Sequence, residues 1–183
     1  MSRLVAHLAT PVTDEDHAQG PQQDAAVTLL QYGDYECPYT RMSNDSIHML
    51  QREYPDTLRF VFRHFPLAER HPHARAAAFA AEAAGVQGDF WTMHEYLFEH
   101  QHALKDADLH QYAIDLGLEP VQFDRDRTSP DVARRIDRDR TSGERSGVMG
   151  TPTFYVNGVR HDGPFDVDSL RAAVAAAMGG PDQ

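Results

Sequence analysis

The sequence predicts an α/β protein: a small mixed sheet interrupted by a central block of helices. Three observations predict it. Two β-rich runs, VTLLQY (27–32) and LRFVFRHF (58–65), flank a helical pattern, which implies a parallel strand pair joined by a right-handed crossover. From about residue 73 to 142 the pattern is helical throughout. A last β-rich run, TFYVNG (153–158), ends in an Asn-Gly turn, so Val159, Arg160 and His161 return as a hairpin and give the sheet an antiparallel side.

Each element follows from its own residues. Residues 1–26 are polar, carry Pro11, Gly20 and Pro21, and read as an arm packed against the domain. VTLLQY suits a buried strand, after which Gly33-Asp34-Tyr35-Glu36 turns the chain. A helix is expected from Cys37 to about Tyr54, with Met42, Ile47, Met49 and Leu50 recurring at roughly helical spacing and Pro55 beyond its end. Pro38 is tolerated in its first turn because the missing N–H is unpaired there anyway. In the second strand Leu58, Phe60 and Phe62 alternate with Arg59 and Arg63.

The alanine-rich stretch 73–85 reads as a helix stopped by Gly85, and 89–101 and 106–117 as two amphipathic helices. Glu119-Pro120 opens a short helix, and Ser129-Pro130-Asp131 opens a charged one to about Ser142. Asp166 or Asp168 starts a closing helix over 170–178. The chain thus divides into an arm (1–26), a sheet domain (27–68 and 148–180) and an inserted helical subdomain (69–147).

Composition narrows the function. The chain has 183 residues, 41% hydrophobic and 25% charged, as expected of one globular domain. Its formal charge of −11 repels phosphate backbones, so nucleic acid is not an expected partner. No apolar run approaches the roughly 18 residues of a membrane span, so no membrane association is expected. The first residues lack the apolar stretch of a signal peptide, and a lone cysteine suits a reducing compartment; the expected location is the cytoplasm.

That cysteine, Cys37, sits in YECPYT (35–40) and is the only one in the chain. A second cysteine at position 40 would complete Cys-x-x-Cys, the dithiol pattern of thioredoxin-like redox sites, but Thr40 stands there. A cysteine at the first turn of a helix has its thiolate favoured by unpaired N–H groups and the positive dipole end. Thr40 is placed to offer its hydroxyl or its N–H to the sulfur, while Asp34 and Glu36 push the other way. The competing reading is a buried, inert cysteine. The second element is VMGTPTFYVNG (148–158), where Pro152 opens a strand; local sequence alone favours an ordinary trans proline.

Together these segments change that judgement. YGDYECPYT and GTPTFYVNG, with FVFRHFPL (60–67), HPHARAAAFAAEAAG (71–85), FWTMHEYLFEHQ (90–101) and DHAQGPQQDAAVTLL (16–30), resemble the DsbA-like thioredoxin-fold oxidoreductases. The resemblance runs from about Asp16 to Met178 and implies a thioredoxin fold with a central helical insertion. It implies that Cys37 is the nucleophile, that Pro38 and Tyr39 are the variable dipeptide that tunes it, and that Pro152 is a cis-proline facing the sulfur. Thr151 would present its backbone to a bound peptide or to glutathione. Thr40 departs from the family pattern, which has a resolving cysteine there.

One sulfur can attack a disulfide but cannot resolve the product internally. The expectation is therefore a monothiol thiol–disulfide oxidoreductase, with no tightly bound cofactor and with glutathione or another low-molecular-weight thiol as co-substrate. Its partners would be disulfide-containing proteins or small thiols. Related kappa-type glutathione transferases and chromene-carboxylate isomerases carry serine at the position of Cys37, which sets that branch aside. The alternative is a binding module that keeps the groove beside Pro152 without turnover.

The other candidates are weaker. His64, His71, His73, His94, His100, His102 and His110 lack the spacing of H-E-x-x-H and read as solvated or helix-capping, with no metal site. No G-x-S-x-G turn supports a serine triad. The run 134–147 reads as an exposed charged helix face, and Phe90, Trp91, Tyr96 and Phe98 as core of the insert, with Trp91 a candidate for a groove near the site.

Overall fold

A computed structural model describes residues 6–179. Five strands form one sheet in the order β1-β3-β2-β4-β5: β1 (His17–Gln19), β2 (Val27–Gly33), β3 (Leu58–His64), β4 (Thr153–Val156) and β5 (Val159–His161). β2 and β3 are parallel, and every other pairing is antiparallel. The helices are α1 (Pro38–Glu53), α2 (Ala74–Val86), α3 (Phe90–Glu99), α4 (Asp106–Asp115), α5 (Pro120–Asp126), α6 (Pro130–Arg145) and α7 (Val167–Met178). Residues 1–5 of the expected arm and residue 180 of the expected sheet domain lie outside the described residues.

The period-2 alternation of the strands gives the sheet two apolar faces. Val27, Leu29, Phe60, Phe62, Phe154 and Val156 face a core shared with α1, α2, α3 and α7. The small alanines of α2 (Ala77, Ala80, Ala81 and Ala84) are wholly buried in that core and let neighbouring elements approach closely. Leu30, Tyr32, Val61 and Tyr155 face the other way, against Phe65, Val148 and the arm residues Leu8 and Val12.

The arm is more structured than its composition suggests. Leu8 N–H donates to the Gly158 carbonyl and Arg160 N–H to the Ala6 carbonyl, both along β5, and the arm then crosses the sheet and becomes β1 on the far edge. Midway, the buried Arg63 guanidinium meets Asp16 at 2.8 and 2.9 Å, the carbonyls of Thr10 and Pro11, and the hydroxyls of Tyr32 and Ser142. A sequence pattern of alternating strand residues puts Arg63 outside the core; here the arm and α6 cover it and satisfy its donors.

The first helix also differs from its apolar pattern. Met42 and Met49 are exposed, and the buried face is Thr40, Ser43, Asn44, Ile47 and Leu50. Small polar residues are tolerated there because they are satisfied: Gln31 Nε2 donates to Ser43 Oγ at 2.8 Å, and Ser43 Oγ to the Thr40 carbonyl at 2.7 Å. Asp166, not Asp168, caps the last helix, accepting from Ser169 N–H at 3.0 Å.

Candidate functional site

Cys37 is the N-cap of α1, with extended backbone (φ −78°, ψ 119°) and Pro38 in the first helical position. The parallel crossover puts this turn at the C-terminal end of β2. The antiparallel pairing of Tyr32 with Thr153 brings the 150–152 loop alongside it. The Thr151–Pro152 bond is cis. Cys37 is 3% exposed, and its thiol donates to the Thr151 carbonyl at 3.3 Å.

Thr40 does not take the place expected for it. It is fully buried, and its hydroxyl accepts from the Asp34 N–H at 3.5 Å, while no helix N–H bonds the Cys37 sulfur. The reason is packing: a Cβ on Gly33 would lie 2.3 Å from the Phe62 ring and 3.0 Å from Thr40 Cγ2. The glycine thus lets Phe62 and Thr40 close over the end of β2. Pro38 is exposed, and Tyr39 is 58% exposed with its ring 6.2 Å from that of Phe165.

The two carboxylates of the turn are both engaged. Asp34 is buried; it accepts from Glu36 N–H and Leu67 N–H and pairs with His71 Nδ1 at 2.8 Å. Glu36 accepts from His73 N–H at 2.6 Å and pairs with His73 Nδ1 at 2.9 Å. The HPH segment is therefore a clasp on the turn that carries Cys37. His73 stands at the N-cap position of α2, but its side chain makes no capping bond and is turned to Glu36 instead.

His64 and His94 overturn the solvated reading, since both are buried. His94 sits among Tyr35, Phe62, Phe90, Trp91 and Phe98, with Nδ1 2.9 Å from the Tyr35 hydroxyl. Burial pulls its pKa down to about 3, so the ring is neutral. Burial likewise pushes the Tyr35 phenol well above its ordinary value. Gln101, the last residue of FWTMHEYLFEHQ and one to which the sequence assigned no role, donates from Nε2 to the carbonyls of Tyr35 at 2.7 Å and Cys37 at 3.0 Å. Arg41, one turn into α1, donates from Nε to the Phe98 carbonyl at 3.0 Å.

His17 Nε2, His64 Nε2 and Glu82 Oε1 lie close enough to share a metal ion. Arg135 Nε, however, already sits 3.0 Å from the same Glu82 oxygen, so the protein supplies its own cation there. Burial opposes ionisation of Glu82, but hydrogen bonds from His17 and His64 outweigh it and hold the carboxyl well below the usual range. Trp91 packs on Phe60, Phe90 and His17, on the β1–β3 side of the sheet. α6 is only partly the exposed charged helix expected, because Asp139 is buried and accepts from the His64 N–H at 3.1 Å.

The thioredoxin family profile matches residues 13–176. A thioredoxin-like oxidoreductase from Silicibacter pomeroyi is 27% identical, with 92% of this chain and 95% of that one superposed at a TM-score of 0.83. α-DsbA1 of Wolbachia pipientis, 18% identical, shares the fold over 94% of both chains at a TM-score of 0.76. Among curated proteins, a Na+/H+ antiporter NhaA 1 of Salinispora arenicola is 43% identical over 98% of this chain. The match covers only 28% of that antiporter, so this chain spans well under a third of its relative's length.

Proposed function

This chain belongs to the thioredoxin family, in its DsbA-like form, and from that premise we propose that Cys37 works alone as the nucleophile of a thiol–disulfide oxidoreductase. The observation that carries the reading is the pairing of the Cys37 thiol, at a helix N-cap, with the carbonyl of Thr151 beside Pro152, and a threonine where a resolving sulfur would stand.

The chemistry runs in two exchanges. The Cys37 thiol loses its proton to solvent, and the thiolate attacks one sulfur of a substrate disulfide. One S–S bond forms as another breaks, and the departing thiolate takes up a proton. Thr40 carries no sulfur to resolve the product, so an external thiolate, glutathione or another low-molecular-weight thiol, attacks the mixed disulfide. Cys37 leaves as thiolate and the new disulfide departs. No redox equivalents remain on the protein and no bound cofactor takes part.

Tyr39, Met42 and Met149 are exposed apolar side chains, on α1 and on the loop leading to Thr151, which supports an extended polypeptide as the disulfide-bearing partner. A lone thiol fits a reducing compartment, so the proposed location is the cytoplasm. The likeness to a segment of antiporters named NhaA adds a setting to this chemistry: a membrane transport protein is a candidate partner. No helix among the described residues is long and apolar enough to cross a membrane itself.

The deciding experiment mixes the protein with glutathione disulfide and follows intact mass. One glutathionyl adduct is expected, absent in Cys37→Ser and removed by added glutathione. An unmodified wild-type chain would point instead to a module that binds without turnover.

A further inference from the structure

The site has a feature that comes from the helical block and not from the thioredoxin-like sheet. Gln101 lies just beyond α3, 64 positions from the nucleophile along the chain, and its single amide NH2 reaches two backbone carbonyls of the turn. One is Tyr35; the other is Cys37 itself. The Cys37 carbonyl also accepts from Arg41 N–H at 3.2 Å, the first hydrogen bond of α1.

Other ties join the same elements. The Tyr35 phenol meets His94 Nδ1, and the Arg41 side chain holds the Phe98 carbonyl. The ring of Tyr35 is thus fixed from α3 and its backbone from Gln101. Of these ties, only Gln101 touches the nucleophile residue.

We propose that Gln101 is a positioning residue for Cys37: its amide fixes the N-cap geometry of α1 and offsets the partial negative charge of the Tyr35 and Cys37 carbonyls, favouring the thiolate. The inference rests on the reading of Cys37 as a nucleophile. The physical basis is elementary. Carbonyl dipoles beside a sulfur disfavour a negative charge on it, and each donor that engages those oxygens relieves part of that effect. A fixed N-cap also holds Cys37 at the positive end of α1.

The test is the rate of Cys37 alkylation by iodoacetamide as a function of pH, in wild type, Gln101→Met and Gln101→Glu. With a single cysteine the signal reports one site. Methionine keeps the length and apolar bulk but donates nothing; glutamate keeps the shape and sets a carboxylate against both carbonyls. The expected result is a midpoint shifted to higher pH by half a unit or more in Gln101→Met, about a threefold loss of rate below the midpoint, and a larger shift in Gln101→Glu. A purely structural role would change the high-pH plateau through access to the sulfur and leave the midpoint in place.

Midpoints equal to wild type in a folded variant would overturn the proposal, whatever happens to the plateau. If Gln101→Met fails to fold, the isosteric Gln101→Glu decides by the same criterion. A wild-type chain that is not alkylated at any pH while folded would overturn the nucleophile reading itself, and this proposal with it.

Discussion

The Cys37 thiol and the Thr151 carbonyl, 114 positions apart in the chain, meet in a hydrogen bond of 3.3 Å. The bond exists only while the sulfur keeps its proton. Ionisation turns the carbonyl from acceptor into an unfavourable neighbour, so the thiolate must draw its support from the N-terminus of α1.

A first prediction concerns the missing partner. Thr40→Cys places a thiol at the third position after Cys37 and is expected to convert the chain to a dithiol enzyme. The glutathionyl adduct that accumulates on the wild type should then fail to accumulate, giving way to an internal disulfide visible as a loss of two mass units. Persistence of the adduct would mean that residue 40, turned toward the Asp34 backbone, cannot reach the sulfur.

The buried Arg63–Asp16 pair should dominate the stability of the arm. Burial opposes ionisation of Asp16, but the Arg63 hydrogen bonds outweigh it and lower its pKa. A carboxyl lowered on folding contributes stability that is present above its unfolded pKa and is lost as pH falls through the folded value. Asp16→Asn leaves the guanidinium buried without its counter-charge and should cost about 3–5 kcal/mol, read by urea denaturation at pH 7. A cost below about 1 kcal/mol would mean that the carbonyls of Thr10 and Pro11 and the two hydroxyls suffice.

His94 should shape the acid limb of stability. Its folded pKa is lowered by burial to about 3, while an unfolded histidine protonates near about 6.5. In that interval the unfolded chain binds the extra proton, so stability should fall as pH drops below about 6.5 and continue to fall towards about 3. His17, also lowered by burial, adds to the same slope. His94→Phe should flatten the dependence of Tm on pH over this range, while costing about 1–3 kcal/mol at neutral pH for the Tyr35 hydroxyl left without a partner. An unchanged slope would assign the acid limb to other groups.

Gly33→Ala should damage both fold and site. The added methyl would meet the Phe62 ring and Thr40 at once. Overpacking of this kind costs about 1–3 kcal/mol. Because both neighbours pack on the turn that carries Cys37, alkylation of Cys37 should also change; a stable variant with wild-type alkylation would show that the turn is not held from this side.

Much of this was legible in residue order. The alternation of Leu58, Phe60 and Phe62, the Asn-Gly turn and the Ser129-Pro130 cap each specify local backbone, and β3, the hairpin and α6 follow them closely. What escaped depends on partners far apart in sequence. β1 is three residues whose only distinction is their register against Phe60–Phe62. Arg63 and Asp139 are charged residues buried by elements that arrive later or earlier in the chain, and no local pattern marks them. At the site, YECPYT marks Cys37 and its turn, but Gln101 and the pairing of His71 and His73 with Asp34 and Glu36 emerge only once the insert is packed. Met42 and Met49 do not mark the buried face, because apolar character does not decide it where a partner such as Gln31 satisfies a small polar residue such as Ser43.

The arm that begins along β5 and ends as β1 has a consequence for the sheet as a whole. One segment lies against both rims: it bonds the outer side of the hairpin and it covers the seven-residue β3 with a strand only three residues long. A single cleavage that released residues before Gly20 would therefore uncover two rims together and free the Arg63 charge in the same event. Uncovered rims are templates for pairing between molecules. The cover of both rims is thus vested in one short segment, so the two edges of the sheet are protected or exposed together.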